Sequence, residues 1–203
     1  MNMCINELLW SYMNKDTVIR YFRDPPEIIT ERLILRRMKK TDYKDMYEYA
    51  CSPDVTRFLT WDPHPNPTYT MRYLAYVATR YRTGEFYDWA VTWKESGKMI
   101  GTCGFTSFSY AHNVGEIGYV LNPDYWGRGI AVEAVRAVMR FGFFTLNLHR
   151  IEAKYIVGNA RSRRVMEKAG MVFEGIQRES MYIGDSYKDI GICAVLFSDY
   201  IDK

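Results

Sequence analysis

The tightest constraint on this chain is a pair of glycines, Gly127 and Gly129, set where the apolar period changes from two to about 3.6. Before them, residues 114–121 suit a strand, with Ile117, Tyr119 and Leu121 on one face and Glu116 and Val120 on the other. Asn122-Pro123-Asp124 breaks that run, because proline has no N–H to give to a ladder. After the glycines, Ala131, Ala134, Val135, Val138 and Gly142 share one helical face, and Glu133, Arg136 and Arg140 share the other. A strand, a glycine turn and a helix start in that order make an anion site. The glycines let backbone N–H groups approach a phosphate, and the helix dipole favours negative charge there.

Two common phosphate loops are disfavoured. A P-loop needs Lys and then Ser or Thr after its last glycine, where Ile130-Ala131 stand. A dinucleotide fold needs a third glycine or alanine at position 132, which is Val132. The run from Pro123 to Ala134 (Pro-Asp-Tyr-Trp-Gly-Arg-Gly-Ile-Ala-Val-Glu-Ala) instead resembles the GNAT N-acetyltransferases, whose signature is Arg/Gln-x-x-Gly-x-Gly/Ala between a central strand and a helix. Asn159-Ala160-Arg161-Ser162 and Glu167-Lys168-Ala169-Gly170-Met171 extend the likeness, and point within the superfamily to the RimJ/RimL-type branch of ribosomal-protein N-acetyltransferases. One departure is Asp124, which occupies the Arg/Gln place. The resemblance covers roughly residues 28–197. It implies an α+β GNAT fold: a central mixed, mostly antiparallel sheet of six to seven strands with helices on both faces, in a domain spanning 27–203 behind a helical extension, 1–26.

At 203 residues the chain is long enough for one domain with a full core. A net charge of +3 and the lack of a basic run argue against a direct nucleic-acid surface. Cys4, Cys51, Cys103 and Cys193 are scattered, with no C-x-x-C and no histidine at metal-ligand spacing, which reads as reduced thiols in a cytoplasmic protein without a metal. No apolar run approaches a membrane span, and no basic leader precedes the first apolar stretch.

In order, residues 1–23 read as an amphipathic helix with Ile5, Leu8, Leu9, Tyr12 and Asp16 on one face, packing on the domain or on a second subunit in a homodimer. Asp24-Pro25-Pro26 ends it. Residues 28–37 read as one strand. Thr41 caps a helix running to about Ala50, and Ser52-Pro53-Asp54 starts a short one. Residues 61–67 form a proline-stiffened loop, and a helix follows to Thr83-Gly84. Strands at 87–93, 99–108 and 114–121 form a meander, helix 129–146 and strand 150–157 follow, and helix 160–169 precedes a hairpin of 172–182 with 188–197.

The resemblance implies acetyl-CoA as co-substrate, with direct transfer to a primary amine in a ternary complex. The acceptor it suggests is a protein N-terminal α-amine. A small-molecule amine such as a polyamine, amino acid or antibiotic, or a non-catalytic coenzyme A sensor, are the alternatives. Backbone at Tyr119, Val120 and Leu121 would pair with the pantetheine arm, and amides from Trp126 through Gly127, Arg128, Gly129 and Ile130 to Ala131 would meet the pyrophosphate. Arg128 is either a phosphate contact or a solvated turn residue. Asn159 would touch pantetheine, unless it only caps its helix. Arg161, Arg164 and Lys168 form a basic stripe that could meet the 3′-phosphate.

Glu116, edged by rings and so raised toward neutrality, is the candidate base, against a structural ion pair. Ser162 would stabilise the departing thiolate, with Tyr182 as an outside candidate for that acid role. Trp61 and Tyr69 are either acceptor contacts or rim aromatics. Glu133 suits an ordinary polar helix face.

Overall fold

The computed structural model describes residues 13–201. The N-terminal face of Ile5, Leu8, Leu9 and Tyr12 lies outside the described residues. Helix α1 (Lys15–Arg23) begins at Asn14, whose side chain accepts the Asp16 amide. It is followed by β1 (Ile28–Ile29), β2 (Leu33–Arg36), α2 (Tyr43–Ala50), α3 (Pro53–Thr56) and α4 (Pro67–Thr83). Strands β3 (Asp88–Trp93), β4 (Met99–Ser109) and β5 (Val114–Leu121) make the meander. Then come α5 (Ile130–Phe144), β6 (Arg150–Ile156), α6 (Ala160–Ala169), the hairpin β7 (Val172–Ile183) and β8 (Ser186–Leu196), and α7 (Phe197–Ile201).

The eight strands form one sheet in the order β1-β2-β3-β4-β5-β6-β8-β7, and β5 with β6 is its parallel pair. The eighth strand arises because residues 28–37 do not run as one. Thr30 turns the chain, accepting the Leu33 amide on its hydroxyl and giving its own amide to the Leu33 carbonyl, so that Ile28 comes to face Leu35. The helix-cap expectation at Thr41 is also corrected. Asp42 does the work there, taking the Lys39 amide at 2.7 Å and a two-pronged bond from Arg36 at 2.8 and 2.9 Å.

Alternation along the strands sends Leu33, Leu35, Trp89, Val91, Ile117 and Ile151 to one face, where α1, α5 and α6 cover them. Ala90 and Met99 go to the other face, under Met46, Tyr49, Leu74, Val77 and Tyr81 of α2 and α4. No helix among the described residues is long and apolar enough to cross a membrane.

The parallel pair is where the sheet comes apart. Val114, Gly115 and Glu116 lie opposite Arg150, Ile151 and Glu152, and beyond Glu116 the two strands diverge. The Asn122 amide reaches Ile100 of β4, so the backbone of Val120 also faces β4 while that of Tyr119 and Leu121 faces the gap.

Candidate functional site

The gap runs directly into the glycine turn. Gly127 and Gly129 have φ of 76° and 75°, a conformation that costs an L-residue about 1–2 kcal/mol and that glycine adopts freely. A Cβ on Gly127 would meet nothing within 4 Å, and one on Gly129 only the tip of Arg32 at 3.7 Å. The turn is therefore open on its outer side. The first bond of α5 runs from the Glu133 amide to the Gly129 carbonyl at 3.1 Å, and Gly129 brings no side-chain cap. Among the described residues, the amides of Gly127, Arg128, Gly129, Ile130, Ala131 and Val132 have no protein acceptor. Six amides without a protein acceptor at a helix N-terminus suit a diphosphate in number and sign.

Trp126 departs from the expected amide row. Its N–H is bound to the Pro123 carbonyl at 3.0 Å, and its indole N–H to the Leu121 carbonyl at 2.8 Å. The Leu121 carbonyl is thus taken, leaving its amide and the Tyr119 backbone as the groups open to the gap. The Trp126 ring carries the Arg161 guanidinium 4.7 Å from its centroid, linking the turn to α6. Arg128 lies over Tyr125 at 5.7 Å, and Arg164 is exposed on α6.

The turn is braced from β1 and β2. Glu133 accepts the Thr30 hydroxyl at 2.6 Å, the Arg32 amide at 2.9 Å and Arg32 Nε at 2.7 Å, while Arg32 Nη1 holds the Arg128 carbonyl at 3.0 Å. Glu133 is therefore a clamp and not a plain member of a polar helix face. Burial works to raise its carboxyl, but the hydrogen bonds from Thr30 and Arg32 outweigh that and hold it below the usual carboxylate range. A depressed carboxyl stabilises the fold above its unfolded pKa, and that contribution disappears as pH falls through the folded value. We expect Glu133→Gln to cost about 2 kcal/mol at pH 7 and progressively less as pH falls through the depressed carboxyl value of the folded state, read from urea unfolding across that range.

Across the gap, Asn159 accepts the Ser162 amide at 3.1 Å and so caps α6. The Ser162 hydroxyl lies 2.8 Å from the Tyr119 hydroxyl, which is also 2.9 Å from the Ser162 carbonyl. Burial pushes the Tyr119 phenol up, against the Ser162 hydrogen bond, so it stays neutral. Sequence reasoning gave the Tyr119 backbone a place beside pantetheine and its hydroxyl no role. The signal was present, since an aromatic on the α5 face three residues past Glu116, where pairing with β6 ends, has α6 within reach. Tyr182 is elsewhere: it is 62% exposed and packs on Tyr187 in the outer hairpin.

On the other face of the sheet lies a cavity of about 390 Å³ floored by Gly104, Gly118 and Val120. Trp61, Tyr69 and Tyr73 wall it around His64, with ring centroids 5.3, 4.8 and 5.7 Å from the imidazole. The structure thus gathers both expected acceptor residues at one hollow. His64 binds Thr70 at 2.8 Å, and burial lowers its pKa, which keeps the ring neutral.

Glu116 is found in another setting from the one expected. It does not line that cavity. Its carboxylate binds Lys154 Nζ at 2.7 Å and the Thr106 hydroxyl at 3.1 Å, so its neighbours are an ammonium and a hydroxyl and not a cluster of rings. The deep acid is Asp88, which sequence reasoning missed. Cys103 is buried, and burial together with Asp88 pushes its thiol up, so it offers no activated nucleophile.

Known proteins agree with this geometry. Residues 32–172 match the family described as Acetyltransferase (GNAT) domain. N-acetyltransferase p20 of Bacillus licheniformis is 30% identical over 173 residues, 85% of this chain and 97% of that protein. Ribosomal-protein-serine acetyltransferase of Escherichia coli is 23% identical over 82% of this chain and 93% of its own length. The crystal structure of a GNAT-family acetyltransferase from Bacillus anthracis is 29% identical and superposes with a TM-score of 0.76 over 85% of this chain and 99% of that one. A split parallel pair, an open glycine turn at a helix start and sequence likeness over most of the chain lead to one assignment: this protein belongs to the GNAT family of acetyltransferases.

Proposed function

We propose that this chain moves the acetyl group of acetyl-CoA to a primary amine by direct attack, with both substrates bound together. The observation that carries the reading is the continuity of β5, unpaired with β6 beyond Glu116, with the acceptor-free amides of residues 127–132. The exposed edge at Tyr119 and Leu121 offers strand-like bonds to an amide-bearing arm. The glycine turn receives its diphosphate, and Asn159 and Arg164 stand on α6 across the gap. The thioester supplies an activated acyl carbon, and the chain must orient it, accept an amine and quiet the leaving sulfur.

Ser162 serves the last task. The one Tyr119 proton can go to the Ser162 carbonyl at 2.9 Å or to the serine oxygen at 2.8 Å, and in the second arrangement the serine's own proton is free to meet a developing thiolate. Ser162→Ala is expected to lower kcat about 30-fold with little change in KM, in steady-state assays of thiol release. The acceptor enters from the aromatic cavity on the opposite face. A protein N-terminal amine is supported by the likeness to the ribosomal-protein-serine enzyme. The test is calorimetric titration with coenzyme A, together with acetyl-CoA turnover against spermidine, free amino acids and a serine-terminated peptide. Tight binding with no turnover of any amine would make the protein a coenzyme A sensor instead.

A further inference from the structure

Three strands carry a matched row: Asp88 of β3 pairs with Gly104 of β4, which pairs with Gly118 of β5. Side chains of paired residues project to the same face, so the row runs from Asp88 into the cavity floored by Gly104 and Gly118, with the Asp88 backbone close over Gly104 and the Thr106 methyl 2.7 Å from where a Gly118 Cβ would sit. The Asp88 side chain leans along that row. Its Oδ1 lies 2.7 Å from where a Gly104 Cβ would sit. Strands are spaced about 4.8 Å apart, so the carboxylate stands roughly one strand from Gly118. A nitrogen hydrogen-bonded to it from the cavity would lie beside Thr106 and Gly118, on the side of Tyr119.

The surroundings are built for this acid. The Trp89 amide donates to Oδ1 at 2.9 Å and Thr102 donates from its side chain. Tyr81 donates to the Asp88 carbonyl at 2.7 Å and receives the Met38 amide, fixing the start of β3. Tyr49 lines the same cavity, is fully buried, and its hydroxyl has no partner. A buried unpaired hydroxyl costs about 1–3 kcal/mol, so it marks a place where a ligand group belongs. A second hollow of about 590 Å³ also reaches Asp88, which therefore sits deep yet retains some solvent contact.

We propose that Asp88 receives the acceptor's ammonium group and removes its proton, with the apolar stem of a primary alkyl ammonium lying along Trp61, Tyr69 and Tyr73. This rests on the transferase reading above and supplies its missing base. The carboxylate takes one proton from R–NH3+ and becomes the neutral acid. The freed nitrogen pair forms the C–N bond to the thioester carbon, the C–S pair leaves on sulfur, and a second nitrogen proton ends there. The products are amide and thiol, and Asp88 returns its proton to water.

Burial pushes the Asp88 carboxyl up to about 7, against the Thr102 and Trp89 bonds, which suits a base working near neutral pH. The titratable groups facing it are the phenols of Tyr49, Tyr73 and Tyr81 and the thiol of Cys103, all raised by burial and neutral. Lys15, Arg80 and Glu85 line the second hollow, and beyond Tyr49, Asp42 is paired with Arg36 while Asp45 holds the Met99 amide.

The test is Asp88→Asn, assayed with acetyl-CoA and n-butylamine, spermidine and a serine-terminated tetrapeptide. At pH 7 we expect kcat/KM to fall at least ~100-fold for the best amine, with the deficit shrinking as pH approaches the amine's own pKa. Coenzyme A affinity by calorimetry should stay within about twofold, and the melting temperature should not fall. Tyr49→Phe, which keeps the packing, should raise KM for the amine several-fold and leave the protein no less stable. A deficit that is small at pH 7, a deficit constant across pH, or a pH-recoverable loss in Glu116→Gln instead would each overturn the assignment. So would an unchanged amine KM in Tyr49→Phe, or coenzyme A binding with no turnover of any of the three amines. A wild-type protein that binds no coenzyme A would defeat the transferase reading itself, and this inference with it.

Discussion

Gly129→Asp should abolish measurable coenzyme A binding. Two effects add. Position 129 holds φ at 75°, where an ordinary side chain costs about 1–2 kcal/mol, a factor of roughly 5 to 30. The new carboxylate would also stand among the amides meant for phosphate, placing like charges together at the positive end of α5. The fold itself should survive, because a Cβ there meets only the Arg32 guanidinium at 3.7 Å. Gly129→Asn separates the terms. Asparagine tolerates the left-handed region and adds no charge, so it should bind coenzyme A with an affinity between the two. Calorimetry at low and moderate salt reads both. An unchanged affinity in Gly129→Asp would remove the glycine turn as the phosphate site.

What could be read from the sequence was what is local in it. The glycine pair, the strand before it and the helix after it are contiguous, and their periods change at one place, so the phosphate turn was visible. Asn159 and Ser162 are likewise three residues apart in one helix start, where capping and placement at the gap go together. The side-chain neighbours that sequence misplaced across the sheet depend on register. Glu116 was expected among rings because its own strand neighbours are apolar. Its real neighbours come from β6, where Glu152 lies directly opposite and Lys154 reaches both acids, at 2.7 and 3.6 Å. Two carboxylates facing each other across a strand pair repel, and the lysine between them relieves it.

Asp88 was missed for the same reason. Nothing near it in sequence marks it out, and its importance follows from Gly104 and Gly118 lying in its row. A signal did exist, since a glycine inside a strand often marks close approach by another group, and β4 and β5 each carry one at the matching register, under Asp88 and under the Thr106 methyl. The split of residues 28–37 into two strands was invisible because the turn is held by Glu133, about a hundred residues away.

Phe22→Ala should cost about 3–5 kcal/mol, enough to leave a domain of ordinary stability partly unfolded. From sequence, residues 1–23 read as a helix packing either on the domain or on a second subunit, and Phe22 and Val18 lie in the domain's own core with no exposed surface. The Phe22 ring meets Trp89 at 5.0 Å, Tyr87 at 5.1 Å, Phe141 at 6.1 Å and Phe108 at 6.3 Å, joining α1 to β3, β4 and α5 in one aromatic cluster. Such pairs contribute about 0.5–1.5 kcal/mol each beyond burial, and a cavity among rigid rings closes poorly. The consequence reaches the site, because Tyr87 and Trp89 flank Asp88. Loosening their packing should blur the position of the carboxylate before the fold is lost. We therefore expect urea unfolding to show the full stability loss, while amine kcat/KM falls more than coenzyme A affinity under conditions where the variant is still folded. Equal loss of both would mean that α1 supports the whole domain without favouring the acceptor side.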